Sequence, residues 1–359
     1  GLWCAIGTSE YETNCTMPTA PTGQVTVTLN DTGLSMDGVY GEHFALNGEG
    51  TAESPYLINN LYELKGFRDQ VNTGNTYAGK YIKLTADINL NNEEWTPIGN
   101  NTKQFQGYFD GNEKTISNLK VTGNTHYKGF FGYIKGTGMS ATTTPSVKDL
   151  TLDGVNVNVE GDGYYVGGLA GQAYTCNITK VTVKGNVSGV RYVGGLVGHV
   201  YTYFKDCHFI GNASCSFDAL GGIAGAGDCR AYDCSVIGNI TGSNWVGGIV
   251  GNGQEGTSAV GCYVKGDVKT STNWYFGVGG IAGVAGHGYS SSEFKNNYFD
   301  GEVYLEGEIV PAMIMGIVNA ENNESIGTTV EGNSWNTDNY DVNTPVYVTA
   351  ESPQDGTTE

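Results

Sequence analysis

Positive charge is scarce in this chain of 359 residues. Lysine and arginine together number 18, against 37 aspartate and glutamate residues, which gives a formal net charge of -19 at pH 7. The three arginines are Arg68, Arg191 and Arg230. Nucleic acids and anionic lipid surfaces are bound through basic patches, so this composition argues against both as partners. It also disfavours strongly acidic polysaccharides as ligands unless a metal ion intervenes.

Long apolar runs and proline are scarce as well. No stretch reaches the ~18 apolar residues of a membrane-spanning helix, so we expect no membrane insertion of this chain. Only 8 prolines accompany 56 glycines, which does not fit a proline-rich disordered linker. The chain starts at Gly1 without a charged-then-apolar leader, and we interpret this start as a processing scar. Export to the cell surface is therefore an expectation from protein class alone.

Glycine, by contrast, recurs in a six-residue phrase, Val-Gly-Gly-Leu/Ile-Ala/Val-Gly. Its five copies start at Val166, Val193, Leu220, Val246 and Val278. The spacings between them are 27, 27, 26 and 32 residues. Self-similarity at such a period is typical of stacked units that cannot bury their apolar side alone. The sequence therefore predicts a solenoid.

Each unit reads as short alternating strands separated by a glycine turn and a variable loop. Val181 and Val183 are two residues apart, so both side chains face the interior in a strand. Three short strands in each unit predict an all-β fold, a right-handed parallel β-helix of about eight or nine coils. Apolar spacing over 61–71, behind Asn60, predicts one short helix that caps the open edge of the first coil.

Three regions follow from this interpretation. Residues 1–50 lack the repeat and are expected to form a β extension or cap, with one strand over 24–29. The β-helix is predicted over residues 51–335, and a C-terminal tail over residues 336–359.

The paired glycines of the phrase have a predicted structural role. Val166 and Leu169 are three residues apart and would face opposite sides of a flat strand. Glycines between them permit a positive φ or a bulge, which would turn both side chains into the core. The fifth position alternates small and large along the chain, through Ala170, Val197, Ala224, Val250 and Ala282. We expect these side chains to interdigitate between neighbouring coils.

Three of the eight cysteines occupy a repeated position. Cys207, Cys234 and Cys262 each stand four residues before a glycine, and the equivalent residues of earlier units are Leu119, Leu150 and Val181. A column shared by these residue types predicts a buried thiol ladder, because parallel Cβ vectors on neighbouring coils are poorly aimed for disulfides. A disulfide from Cys4 to Cys15, or from Cys215 or Cys229 to a neighbour, stays open. Spacing does not decide the pairing of Cys4, Cys15, Cys176, Cys215 and Cys229.

A lead-in precedes the repeats, with KYIKLTADINL over 80–90, WTPIG over 95–99 and FDGN over 109–112. Together with the repeated Gly-Gly-Leu-Val-Gly, it resembles the GLUG-motif family of bacterial extracellular proteins, over about residues 56–283. The resemblance implies an exported, Bacteroidales-like surface protein with an adhesin role. Related repeats accompany IgA-cleaving metallopeptidases, but no His-Glu-x-x-His is present here, so that activity does not carry over. The family supplies no catalytic residues.

Parts of polysaccharide-degrading β-helix enzymes were sought as well. Two tripeptides, over 286–288 and 336–338, are similar to those of polygalacturonases, but their order is reversed and the adjacent aspartate pair is missing. The carboxylate pairs that glycoside hydrolysis needs are represented by two candidates, Asp228 with Asp233 and Glu160 with Asp162. Loop carboxylates on an acidic surface mostly contact water, so we expect no enzyme and keep hydrolysis as the weakest alternative.

The five histidines lack the spacing of a transition-metal site, so no cofactor is expected. Structural calcium is kept as an alternative on such an acidic surface, although no Asp-x-Asp-x-Asp-Gly loop is present.

Aromatic residues directly precede the phrase in three units, at Tyr165, Tyr192 and Trp245, and Ala219 interrupts the row. In the fifth unit the same segment is longer and carries Trp274, Tyr275 and Phe276. Insertions in solenoids fall on one face, often the binding face. Rings ~4.8 Å apart on successive coils can stack on sugar rings, or they can stack on one another and seal the turn.

These features predict a non-catalytic bacterial cell-surface adhesion or binding module. Its expected partners are glycans or host glycoproteins, bound through the aromatic face. The alternative is a structural spacer in a larger surface protein, which would have no ligand and would tolerate substitution of the aromatic residues.

Overall fold

The structure is a computed structural model that describes residues 26–30, 33–37, 45–254, 256–271, 277–287, 292–310, 315–318 and 329–335. The chain divides into two compact units, Gly1–Ala45 and Leu46–Glu359. In the first unit, β1 (Thr26–Asn30) pairs antiparallel with β2 (Gly33–Asp37), so the strand predicted over 24–29 is one arm of a hairpin. The predicted tail, residues 336–359, lies outside the described residues.

The second unit begins with β3 (Tyr56–Ile58) and α1 (Leu61–Thr73). The first coils contain β4 (Tyr81–Leu84), β5 (Ile88–Asn89), β6 (Tyr108–Ser117), β7 (Lys120–Gly123), β8 (Phe131–Lys135) and β9 (Val147–Val159). The central coils contain β10 (Tyr164–Gly167), β11 (Ala170–Gly194), β12 (Val197–Lys205), β13 (His208–Ile210), β14 (Ala213–Gly221), β15 (Ala224–Tyr232), β16 (Ser235–Ile237), β17 (Ile240–Gly242), β18 (Val246–Gly247), β19 (Val250–Gln254), β20 (Ser258–Val260), β21 (Tyr263–Lys265) and β22 (Val268–Thr270). The last coils contain β23 (Val278–Gly279), β24 (Ala282–His287), β25 (Glu293–Lys295), β26 (Tyr298–Asp300), β27 (Val303–Leu305), β28 (Glu308–Val310), β29 (Met315–Val318), β30 (Thr329–Glu331) and β31 (Ser334–Trp335).

Strands of successive coils pair in parallel and in register. The first position of the phrase forms one continuous column, in which Val166, Val193, Leu220, Val246 and Val278 are neighbours in turn. The fifth position forms a longer column, through Ile98, Phe131, Ala170, Val197, Ala224, Val250, Ala282 and Met315. The predicted all-β parallel β-helix is confirmed, and it has about eight turns.

Helix α1 covers the start of the stack, as predicted. The Asn60 side chain accepts a hydrogen bond from the Glu63 N–H at 2.9 Å and so caps the helix. Phe67 is fully buried, and its ring packs against those of Phe105 and Phe109, with centroids 5.6 and 6.0 Å away. The apolar face of the helix thereby closes the end of the core that the first coil would expose.

Of the two alternatives predicted for the paired glycines, the positive φ is wrong. Val166 and Leu169 are both fully buried, as expected, but neither glycine between them has a positive φ. Close packing between coils explains why glycine is required at these positions, because a Cβ on Gly195 would lie 2.2 Å from the Gly222 carbonyl oxygen and 2.4 Å from the Phe209 ring. The left-handed conformation falls instead on the residue before the phrase.

The predicted thiol ladder is confirmed. Cys207, Cys234 and Cys262 are buried, and the residues that follow them pair in register from coil to coil. Leu150 and Val181 belong to the same column. Leu119 does not belong to this column. The residue after it, Lys120, pairs with Asn156, which lies further along β9 than Leu150, so that assignment was wrong.

Two polar residues continue this column toward the C-terminus. The residue that follows Cys262 pairs in register with the residue that follows Asn297, and that residue pairs in turn with the one that follows Asn333. The disulfide alternatives for Cys215 and Cys229 are wrong, because both are buried free thiols, as is Cys176. Cys4 and Cys15 lie outside the described residues.

Candidate aromatic binding face

The residue before the phrase has a left-handed backbone in every central coil. Its φ is 62° at Tyr165, 50° at Tyr192, 43° at Ala219 and 44° at Trp245. This conformation turns the corner between two strands, and non-glycine residues adopt it only at a cost. Tyr165, Tyr192 and Trp245 are half-buried, whereas Ala219 is fully buried.

The rings at this corner form what we call the inner stack, Tyr127, Tyr165 and Tyr192. The centroids of Tyr127 and Tyr165 are 5.2 Å apart, and those of Tyr165 and Tyr192 are 5.5 Å apart with an interplanar angle of 14°. His199 meets both later rings edge-on, at 5.2 and 5.9 Å. Burial lowers the pKa of His199, which favours its neutral form at physiological pH. The predicted aromatic row is thus present at Tyr165 and Tyr192.

Ala219 ends the inner stack, so Trp245 lies one coil beyond it rather than on it. The remaining predicted ligand-binding residues, Trp274, Tyr275 and Phe276, lie outside the described residues.

A second row, which the sequence reasoning missed, lies beside the first. We call it the outer stack, and it consists of His126, Tyr164, Arg191 and Phe217. The rings of His126 and Tyr164 are stacked at 4.7 Å. The Arg191 guanidinium lies 5.3 Å from the Tyr164 ring centroid and 4.1 Å from that of Phe217, so it sits between two aromatic rings. Phe217 is 49% exposed, unusually high for so large an apolar side chain.

A buried carboxylate lies behind this outer stack. Asp218 is only 7% exposed, and no described residue donates a hydrogen bond to its Oδ1. Burial raises the pKa of Asp218, and the nearby Arg191 charge opposes that rise. The Cys215 thiol beside it donates to the Asp218 and Val190 carbonyl oxygens at 2.9 and 3.0 Å, and burial raises the pKa of Cys215 to about 11. A thiol in that state is not a nucleophile at neutral pH.

The carboxylates considered for hydrolysis are held separately. Asp228 is buried and receives two hydrogen bonds from Arg230, at 3.2 and 3.0 Å. Asp233 is exposed and pairs with Lys205 of the preceding coil. Glu160 and Asp162 are exposed on one turn. Gly288 and residues 336–338 lie outside the described residues. Over the described ranges, no three His, Cys, Asp or Glu side chains come close enough together to hold a metal ion.

The inner and outer stacks, which together we call the aromatic corner, overlap the segment of the chain that matches a known family model. Residues 162–188, which include Tyr164, Tyr165 and the first phrase, match the family model of the GLUG motif. This chain carries a GLUG motif. The predicted resemblance to bacterial surface proteins with that motif is therefore confirmed.

Two curated relatives match parts of the chain. One, whose name describes it as a Gly-rich membrane protein, is from Evansella cellulosilytica and is 35% identical over 131 residues, which is 35% of this chain. The other is halomucin of Haloquadratum walsbyi, 32% identical over 180 residues, which is 48% of this chain. The matched segments are only 14% and 2% of those relatives' own lengths.

A solved structure shares the fold. It is a Bacteroides ovatus protein named for immunoglobulin A1 protease, and it superposes with a TM-score of 0.53 over 80% of this chain and 77% of that one. The sequence identity is 21%, so the likeness concerns the fold alone. None of the described residues forms a helix that is both long and apolar enough to span a membrane.

Proposed function

We propose that this chain is a non-catalytic adhesion or binding module of a bacterial cell surface, and that it recognises glycans or host glycoproteins through the inner and outer stacks. The observation that carries the proposal is Arg191, held between Tyr164 and a Phe217 ring that is half exposed. Sugar rings present apolar C–H faces and hydroxyl edges, so they suit an aromatic ring flanked by fixed hydrogen-bond donors.

Packing alone does not account for the outer stack. A ring that only seals a turn is expected to bury most of its surface. Phe217 instead leaves about half of its surface in water, next to a guanidinium whose five N–H donors are oriented by the two rings. Exposed aromatic and arginine side chains of this kind are enriched where proteins bind partners.

The spacer remains the second candidate, and two observations favour it. The inner stack is half-buried and its rings contact one another, which is the arrangement expected if they only stabilise the corner. The matched segments are also small parts of long relatives, which suits a repeated structural unit. A spacer predicts no ligand and unchanged behaviour when the exposed rings are removed.

A glycan and mucin array with the purified chain tests the proposal. Two variants remove rings of the proposed site: Tyr164→Ala with Phe217→Ala in the outer stack, and Tyr192→Ala in the inner stack. The matched control is Tyr263→Ala, whose ring stacks on Tyr298 at 5.7 Å on another strand of the coil. We expect binding by the intact chain and by the control, and loss of binding in both corner variants, with all melting temperatures compared.

Two results would contradict the proposal. Absence of binding by the intact chain would make the spacer the better account. Equal loss in the control variant would show that the rings act on folding rather than on a ligand.

A further inference from the structure

A pocket of about 210 Å³ lies on the first coils, on different strands from the aromatic corner. Its floor consists of Tyr81 and Lys83 of β4 and of Tyr108 and Asp110 of β6. Tyr81 pairs with Tyr108, and Lys83 pairs with Asp110, so the four side chains form two adjacent columns. Residues 52, 53, 55, 144, 145 and 148 line it as well.

The strand alternation explains why these side chains meet. In β4, Ile82 and Leu84 are fully buried, so the residues between them face outward. The same alternation in β6 buries Phe109 and turns its two neighbours outward. Parallel pairing in register then places like positions of the two strands side by side.

The floor combines an aromatic surface with fixed polar groups. The rings of Tyr81 and Tyr108 have centroids 4.6 Å apart, and both are half-buried. Asp110 accepts from the Lys148 ammonium at 3.0 Å and from the Asn112 N–H at 2.8 Å, which holds its carboxylate in place.

Lys83 differs from Lys148, because within the described part of the chain no carboxylate lies at ion-pair distance from its ammonium. Its three N–H donors are therefore available to a ligand. The lining as a whole carries two lysines, Lys83 and Lys148, and two carboxylates, Glu53 and Asp110, so its formal charges balance.

Size restricts the ligand further. The cavity holds about seven times the ~30 Å³ that one water occupies in the liquid, and it is smaller than the ~300 Å³ at which pockets for drug-sized ligands begin. It therefore suits one ring and its substituents rather than an extended chain.

From these features we propose that the pocket lined by Tyr81, Tyr108, Lys83 and Asp110 binds a single uncharged sugar ring, such as the terminal residue of a glycan. The tyrosine pair supplies a stacking surface for the apolar face of the ring. Lys83 donates to ring hydroxyls and Asp110 accepts from them, while the balanced charge of the lining gives no advantage to a carboxylated sugar. This site does not depend on the aromatic corner and would hold if the corner proved to be only structural.

Saturation-transfer NMR tests the site with three named probes: methyl β-D-galactopyranoside, methyl β-D-glucopyranoside and glucuronate. We expect at least one of the two neutral probes to bind at least as tightly as glucuronate. Tyr108→Ala and Lys83→Met should each weaken that binding by about tenfold, the effect of losing one stacking or charged hydrogen-bond contact. Phe217→Ala at the aromatic corner is the matched control and should leave it unchanged.

Several results would overturn the proposal. They are no binding of any probe, tighter binding of glucuronate than of both neutral sugars, or full affinity in Lys83→Met. Lys83→Met keeps an unbranched apolar side chain one atom shorter and removes the ammonium group with its charge and N–H donors, so it remains informative if Tyr108→Ala fails to fold. Loss of binding in the Phe217→Ala control, with the pocket variants unaffected, would assign the sugar to the corner instead.

Discussion

Replacing Asn297 with alanine should destabilise the last coils far more than an ordinary polar substitution. Asn297 is fully buried in the column that contains Cys207, Cys234 and Cys262. Its Oδ1 accepts from the Cys262 N–H at 2.9 Å, and its Nδ2 donates to the Ala259 carbonyl and to Asn333 Oδ1, each at 2.9 Å. The alanine variant loses all three bonds and leaves the Cys262 N–H without this acceptor.

The magnitude follows from those three contacts. A buried donor left without an acceptor costs about 1–3 kcal/mol, and each of the two further lost hydrogen bonds about 0.5–1.5 kcal/mol, so the expected loss is about 2–6 kcal/mol. In a solenoid each coil contacts only its neighbours, so the loss should concentrate around Cys262, Asn297 and Asn333. Hydrogen exchange followed by mass spectrometry should show faster exchange there, and urea unfolding should show the loss of stability.

Asn239 provides the matched control. Its side-chain oxygen also accepts an N–H from the next coil, that of Asp267 at 3.1 Å, but Asn239 is exposed. Water replaces the lost bond there, so Asn239→Ala should cost no more than about 1 kcal/mol. Equal losses of unfolding free energy for Asn239→Ala and Asn297→Ala would refute the reasoning, because burial would then not determine how much stability is lost with the bond.

Three further predictions concern the core and the corner. Because burial raises the pKa of Asp218 in the folded state, its ionised form destabilises the fold. Asp218→Asn should therefore raise the melting temperature at neutral pH. The gain should vanish as the pH falls below 3.8, the ordinary pKa of an aspartate carboxyl. A gain that is constant with pH would contradict this. Burial raises the pKa of Cys234 and Cys262, so peptide mapping should find both unalkylated at neutral pH until urea unfolds the chain. Gly195→Ala should lower the melting temperature strongly, since its Cβ would lie 2.2 Å from the Gly222 carbonyl oxygen; an unchanged value would show that the coils can separate.

The coil architecture was predictable because the repeat records it directly. A phrase that recurs about once per turn places its copies in one column, and the pairing of Val166, Val193 and Leu220 follows that column. Helix α1 was predictable from its apolar spacing and from Asn60, and it extends two residues past the predicted end. The role of the glycines was not predictable, because it depends on a carbonyl oxygen of the next coil, which the local sequence does not reveal.

The candidate site was predictable only where it keeps the register of the repeat. Tyr165 and Tyr192 stand directly before the phrase, so alignment of the copies finds them. Phe217 does not keep that register, so alignment of the copies misses it. An irregularity between Gly189 and Arg191 places one extra residue in the next coil, which brings Phe217 beside the Arg191 guanidinium. The adjacency of Arg191 and Tyr192 in the sequence marks this arginine as a candidate, but its contact with Phe217 depends on the pairing of the coils.

The corner backbone offers an argument about why aromatic residues stand there. Tyr165, Tyr192, Ala219 and Trp245 share one left-handed conformation, so the corner forms whatever the side chain is. Glycine or asparagine would adopt this conformation at a lower free-energy cost, whereas for a bulky residue the cost is of order 1 kcal/mol. Stacking of the Tyr192 ring on that of Tyr165 offsets part of that cost, yet Ala219, which has no ring, adopts the same conformation. The corner therefore does not itself require an aromatic side chain, and Tyr192→Ala, which should keep the corner, is the variant that best separates recognition from packing.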